Sequence, residues 1–499
     1  MRRGARFFTV FVLALATSKT QAQPTASSTH PVSASAAPVP VDPDKTDMFR
    51  WIESNDTGMN KLGLEIWSTP ELSFREFKTS RAVMQYLQQN GFAVEKNAAA
   101  MPTAFVATFG SGKPVVAFWL EEDALMGLSQ KPDTVREPIT PGAPGHACGH
   151  NLIAASTATA AVAVKNFLQR TGTKGTIRVY GTPAEEAGGG KEYMREAGLF
   201  KEVDIMLGWH PSSDTRSQFE YTKAAAELHV HFQGVSSHAS VSPDQGRNAL
   251  HAVELMDTGV NFLREQLKED ARVSYVISNG GGQPNVIPAE AESWYNIRAN
   301  KHEELADIVQ WISEIANGAA MMTRTHVTVR VDNDEAEVLP NGPLAKDIQD
   351  NLRLVGTPDF SADDKAYVRK MLSEEKGEPH AIRPEVTPLP DAPRQEAYST
   401  DLGNVSWRIP TGRLSVALAP YALIPHSWQF AAASASVGLR SMPIAAKTLA
   451  ATAIDCFKRP ALVEAAKKDL QDRTNGQTYL LLTPPNRPVP VYKEPVTRQ

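Results

Sequence analysis

Several apolar runs in this sequence stop on polar, ligand-capable clusters. PVVAFWL (Pro114 to Leu120) runs into Glu121-Glu122-Asp123, and GTIRVYG (Gly175 to Gly181) runs into Thr182-Pro183-Ala184-Glu185-Glu186. VDIMLG (Val203 to Gly208) stops at Trp209-His210-Pro211, and LSVALA (Leu414 to Ala419) precedes a loop carrying His426. The runs alternate with helical patterns, such as the Ala-rich stretch after Asn151, and that alternation predicts an α/β fold. In such folds ligands bind beyond the carboxyl ends of the strands. A structural histidine can sit anywhere, so repeated placement at strand ends predicts one shared site.

Residues 224–333 pattern differently: strand (ELHVHFQG), helix (Asn248 to Leu267), strand (VSYVISNG), strand (AESWYNIRA), helix (Glu303 to Ala320), strand (HVTVRVDN). Strands with helices on one face predict an inserted α+β domain that divides the α/β domain into 46–223 and 334–475. Helical patterns around FRWIESN and SRAVMQYLQQNGF place the start of the fold near Met48.

The ends have a different character. Arg2, Arg3 and Arg6 precede the apolar FFTVFVLALA, and Thr20-Gln21-Ala22 offers a cleavage site. Residues 1–22 therefore predict a secretory signal and a periplasmic or secreted protein; an uncleaved anchor is the alternative, with a short apolar stretch for a span. No membrane span is expected in the mature chain. Residues 23–45 read as a disordered Pro/Ala/Ser spacer and 476–499 as an extended Pro-rich tail. The net charge is −5, and losing Arg2, Arg3, Arg6 and Lys19 with a leader makes the remainder more acidic. That balance argues against nucleic acid and anionic membranes as partners. Two cysteines, Cys148 and Cys456, make no disulfide framework, although a single bridge between them is one reading.

GHACGHNL places His146, Cys148 and His150 at alternate positions. Thiolate and imidazole are good ligands for zinc-like ions, so the loop is a candidate metal site, but Cys148 as a nucleophile or a small buried residue is open at this point. Glu185-Glu186, in a Gly-rich turn after a strand, allow one carboxylate to bind metal while its neighbour handles protons. They equally suit the acidic first turn of a solvated helix.

GHACGHNL, TPAEEAGGGK, GWHP, GVSSHASVSPDQGRNAL, GGQPNVIPAEAESWYNIRA, STDLGNVSW and PHSWQF occur here in order. Together they resemble the motifs of the aminoacylase/carboxypeptidase metallopeptidases, peptidase family M20, amidohydrolase subfamily. The resemblance covers the chain from about Asp47. It implies a mixed-sheet metallopeptidase catalytic domain with an inserted lid and dimerisation domain. It also implies two divalent metal ions, zinc or manganese, held by Cys148 as the bridging ligand with His150, Glu186, His210 and His426. Glu185 matches the general base, and His238 matches a residue that polarises the scissile carbonyl, usually from the partner protomer. Asn285 and Arg298 match residues that bind the substrate carboxylate. The implied reaction is hydrolysis of an N-acyl amino acid or dipeptide, N-aroyl substrates such as p-aminobenzoyl-glutamate first. The implied assembly is a homodimer through the lid, with a heterodimer also open. Asn151 stands where many members carry Asp and points to the p-aminobenzoyl-glutamate branch, whereas Met126 departs from a common Pro.

Rival readings are a dipeptidase or carboxypeptidase with the same centre, a Cys–His acyl hydrolase using Cys148, and a non-catalytic substrate-binding protein. The last should have lost a ligand or Glu185, and none is missing. His146 reads as a structural or supporting residue beside the ligands. His229 and His231 share a strand face and read as surface or interface residues. His251, His302, His326 and His380 read as structural.

Overall fold

The computed structural model describes residues 42–373, 377–484 and 487–490. The predicted leader and nearly all of the spacer lie outside the described residues. Folding starts slightly before Met48, because Asp42 caps a helix, Pro43–Ser54, by accepting a hydrogen bond from the Asp44 amide (3.0 Å).

Seven strands hydrogen-bond in the order Ala93–Lys96, Phe105–Ser111, Gly175–Thr182, Val115–Glu121, Ile205–Ser212, Thr411–Ala417, Arg216–Ser217. The inner strands Gly175–Thr182, Val115–Glu121, Ile205–Ser212 and Thr411–Ala417 run parallel, so their carboxyl ends share one edge. Antiparallel strands flank them, which makes the sheet mixed. Val115–Glu121 is buried at every position, as a continuous apolar run on a two-sided sheet requires.

The Ala-rich stretch forms the helix His150–Thr171, whose small residues allow close approach to the sheet. It packs beside a second Ala-rich helix, Ser441–Lys458, in the main core with Leu152, Phe118 and Leu207. Each fully buried Leu, Val or Phe there contributes roughly 1.5–3 kcal/mol. Gly149 begins the first of these helices at φ 80°, and a Cβ there would sit 2.7 Å from the Pro211 ring. Glycine thus lets the chain turn between Cys148 and His150.

The inserted region forms its own sheet, in the order His326–Glu335, Ala224–Gln233, Glu290–Ala299, Arg272–Asn279. All neighbours are antiparallel. Leu228, Val230 and Phe232 alternate inward to a core shared with helices Ala249–Leu263 and His302–Thr323. Glu227, His229 and His231 therefore lie on the opposite face. His229 stacks on Trp294 (5.2 Å between centroids), and its Nδ1 lies 3.1 Å from Glu292 Oε1.

The described part of the Pro-rich tail is pinned, not merely extended. Tyr479 packs its ring 4.4 Å from that of His302, and Arg487 pairs with Glu192 at 2.6 Å. Aromatic and guanidinium groups of this segment find partners at the junction of the two sheets. No helix among the described residues is long and apolar enough to cross a membrane.

Candidate metal centre

Cys148, His150, Glu185, Glu186, His210 and His426 converge at the carboxyl edge of the large sheet. The ligand-capable atoms form overlapping groups: Cys148–His150–His210, Cys148–Glu186–His426 and His150–Glu185–Glu186, each with atoms within 4.8 Å of one another. Cys148 belongs to two of them. Cys148 Sγ lies 3.3 Å from His210 Nε2, His150 Nε2 lies 3.8 Å from Glu186 Oε1, and His426 Nε2 lies 3.4 Å from Glu186 Oε2. Ligand atoms around a tetrahedral zinc ion lie roughly 3.3–3.8 Å apart, given bonds of about 2.0–2.3 Å. The cluster therefore has the spacing of a coordination shell. His150 Nε2 and Glu186 Oε1 are buried and have no hydrogen-bond partner. Such orphaned atoms are costly unless a cation lies between them, so the residues fit the metal pair that their types imply.

The imidazole tautomers agree. His150 Nδ1 donates to the Asp123 carbonyl oxygen (2.9 Å), with Asp123 Oδ1 at 3.1 Å. His210 Nδ1 donates to the Pro211 carbonyl oxygen (2.7 Å). A carbonyl can only accept, so each Nδ1 carries the proton and each Nε2 turns a lone pair to the cluster. His210 lies inside the strand Ile205–Ser212, not beyond it, because strand pairing with Thr411–Ala417 continues past Trp209.

Two of the centre's residues carry backbone strain. Ala184, preceding the Glu pair, and His426 itself adopt left-handed conformations, φ 60° and φ 61°. Both are held by hydrogen bonds: the Ala184 amide donates to buried Glu76 (2.9 Å), and the His426 amide donates to the Ala147 carbonyl (2.9 Å). Non-glycine residues persist in that region only where surroundings fix them, commonly at functional sites.

Four supporting residues have no role that the sequence alone assigns. Asp123 orients His150 and also accepts from the Glu186 amide (2.9 Å) and the Ser73 hydroxyl (2.7 Å). Its signal is present in the sequence, since Glu121-Glu122-Asp123 ends a predicted strand. Glu121 and Asp401 sandwich the fully buried Lys191, at 2.9 and 2.6 Å from its ammonium, close beside Glu185. Asp401 and Lys191 lie in two of the family motifs, but only the fold brings them together.

Burial, reinforced by Glu121 and Glu186, pushes the Glu185 carboxyl well above its ordinary value. Burial likewise raises Glu186 to about 7 and pushes the Cys148 thiol up, with Glu186 adding to the effect. A nucleophilic cysteine needs the opposite shift, so the setting disfavours the thiol-hydrolase reading. Cys148 and Cys456 are both buried and unbridged, which removes the disulfide reading. His146 is buried beside the cluster with neither ring nitrogen hydrogen-bonded, and stands in none of the ligand groups.

The substrate-facing residues divide. Arg298 lines a cavity of about 400 Å³ together with Cys148, Glu185, Glu186, His210 and His426. His238 and Asn285 do not line it. They lie together at the far end of the lid, where the Ala239 amide donates to the Asn285 carbonyl (3.0 Å) and His238 pairs with Val286. The strand Ala224–Gln233 separates that end from the cavity by roughly 30 Å at about 3.3 Å per residue. The chain therefore does not bring His238 or Asn285 to its own Glu185.

Residues 221–321 match the peptidase dimerisation domain of the M20 family. The chain is 36% identical over 463 residues to one of the subunits of p-aminobenzoyl-glutamate hydrolase of Escherichia coli K12, covering 87% of this chain and 96% of that one. The chain belongs to the M20 peptidase family. This M20 peptidase is also 31% identical over 454 residues to human Xaa-Arg dipeptidase, covering 87% and 94%. Its fold is that of a dinuclear metal-binding M20 peptidase from Bacillus subtilis (TM-score 0.56, 18% identity, covering 82% and 99%). The aminobenzoyl-glutamate utilization protein from Klebsiella pneumoniae shares it too (TM-score 0.55, 18% identity, covering 82% and 98%).

Proposed function

We propose that this M20 peptidase is a metal-dependent amidohydrolase that cleaves N-acyl amino acids and releases the free amino acid. N-aroyl substrates of the p-aminobenzoyl-glutamate kind are the first candidates. The observation that carries this reading is the convergence of Cys148, shared by two ligand groups, with Glu185 on one cavity.

Cys148, His150, Glu186, His210 and His426 would hold two divalent cations, with Cys148 a member of both the His150–His210 and the Glu186–His426 groups. Thiolate favours zinc, whereas the carboxylate also accepts manganese. When bound, such ions lower the pKa of a water from about 16 to roughly 7 and polarise the scissile carbonyl. Glu185 takes the proton from the attacking water on a carboxylate oxygen and returns it to the leaving amide nitrogen. Arg298 presents a planar guanidinium suited to pair a substrate carboxylate bidentately.

His238 and Asn285 act from a partner protomer, His238 on the substrate carbonyl and Asn285 on its carboxylate. The dimerisation-domain match and the 30 Å scale of the separation support this assignment. The partner is a second copy of this chain or a related chain. The second option is suggested by the Escherichia coli hydrolase, which is named for two distinct subunits, each similar to this chain. Export to the periplasm or outside the cell is proposed from the basic and apolar start of the sequence. The lid is proposed as residues 224–333.

The test is incubation of the zinc- or manganese-loaded protein with a panel of N-acyl amino acids and dipeptides, detecting the freed amine. Release from N-aroyl amino acids supports the proposal. Release only from Xaa-Arg dipeptides replaces it with a dipeptidase on the same centre. No release from any member leaves a binding protein without catalysis.

A further inference from the structure

One group of metal-capable side chains lies outside the proposed ligand set. Three of the four such groups are built from the proposed ligands and Glu185; the fourth is Glu121, Glu185 and Asp401, again with one oxygen from each within 4.8 Å of the others. The fourth differs in carrying its own cation. The Lys191 side chain is fully buried, and its ammonium donates to Glu121 Oε1 (2.9 Å) and Asp401 Oδ1 (2.6 Å). Among the described residues it makes no hydrogen bond to Glu185.

Different elements supply the parts. Glu121 ends the strand Val115–Glu121, opposite Thr182 of the neighbouring strand that leads to Glu185. Lys191 is the second residue of the short helix Gly190–Glu196, just after the Gly-rich turn that carries the Glu pair. Its own amide donates to Asp401 Oδ2 (3.0 Å), so both Asp401 oxygens are committed to one residue. Backbone and side chain together fix where the ammonium stands. Glu121 and Glu185 line the cavity of about 400 Å³, whereas Lys191, absent from that lining, reaches them from the protein side. Ions that enter with substrate therefore meet carboxylate oxygens, the donors that hard divalent cations prefer. A Glu185 oxygen ligated to such an ion could not accept a proton from water. The ammonium supplies the positive charge that buried carboxylates need, through bonds to Glu121 and Asp401 alone, and leaves Glu185 its lone pairs.

We propose that Lys191 is a positioning residue: its ammonium takes the place of a third metal ion in the Glu121–Glu185–Asp401 cage and reserves Glu185 for proton transfer. This rests on the two-ion reading above, whichever amide is cleaved.

The test counts the metal retained by the full chain after exposure to zinc at about tenfold molar excess and removal of the free ion by gel filtration. Wild type is expected to retain two ions per chain, K191A three, and K191R, which restores the charge, two. A lysine with a merely structural role would lower the stability of K191A without changing its metal count. Turnover of K191A should be depressed at least about tenfold by the excess zinc, relative to the same variant at two equivalents, and K191R should behave as wild type. K191Q is the second variant should K191A fail to fold; it still bonds one carboxylate and should also take up the third ion. Three ions in wild type, or two in both K191A and K191Q, overturn the proposal. A wild type that binds no metal overturns the two-ion reading and the proposal with it, so the wild-type count tells the two failures apart.

Discussion

The carboxyl edge of the large sheet and the far end of the lid both carry residues matched to catalysis, but they differ in completeness. At the sheet edge, five ligand-capable side chains and Glu185 are held at coordination-like spacing by Asp123, Glu76 and the rigid strands. At the lid tip, His238 is exposed and its Nδ1 accepts only from its own loop, from the Ser240 and Val241 amides at 3.2 Å. One site is pre-built within a chain; the other is a delivery arm without a target in that chain. Parallel strands in a doubly covered sheet can fix a site from within, whereas a loop on an antiparallel sheet can only offer its residues outward.

The largest expected effect bears on the pre-built half. E185Q should lower kcat by at least about 10²–10⁴-fold while keeping two metals per chain. Near-normal turnover would remove Glu185 from its role. H238A should cost about 10²–10³-fold in turnover with metal content unchanged. Mixing H238A with E185Q sharpens the comparison: heterodimers with one intact composite site should recover part of the activity. If the mixture stays as inactive as its components, His238 does not act across protomers.

A smaller effect is expected from D123N, which leaves every ligand in place but weakens the brace on His150. Metal affinity measured by competition with a chelator should fall about 10–100-fold. An unchanged affinity would mean that the strand edge alone orients the histidine.

The smallest concerns pH in the metal-free protein. Burial, aided by Asp123, raises Glu76 to about 8, and burial raises Glu186 to about 7. A raised acid means the folded state binds more protons, so the associated stability is present below about pH 4.5 and is lost as pH rises toward 8. The melting temperature of the stripped protein should therefore fall by a few degrees between pH 5 and 8. Metal should reduce that fall by supplying positive charge beside Glu186. A flat profile without metal would contradict the assigned burial of these carboxylates.

Much of this was legible in the sequence, because the determining signals are local. Apolar runs such as PVVAFWL and VDIMLG mark the strands, and the residues after them mark the site. Alternation in ELHVHFQG separates the inward Leu228, Val230 and Phe232 from the outward His229 and His231. Less legible was anything set by distant pairing. Asp401 meets Lys191 across 210 positions, and no local pattern announces that contact. Arg413 reads as one more polar residue near a strand until the fold places it among the residues lining the cavity. His238 and Arg298 share a predicted domain, yet a ten-residue strand carries them to opposite ends.

The central claim is that Cys148 joins two cation positions in a centre complete within each chain. Stepwise addition of zinc or manganese to stripped protein, following metal content and amide hydrolysis together, tests it most directly. The expected result is no turnover without metal, recovery complete near two ions per chain, and loss of the two-ion stoichiometry in C148A. Full activity in protein that holds no metal would contradict it.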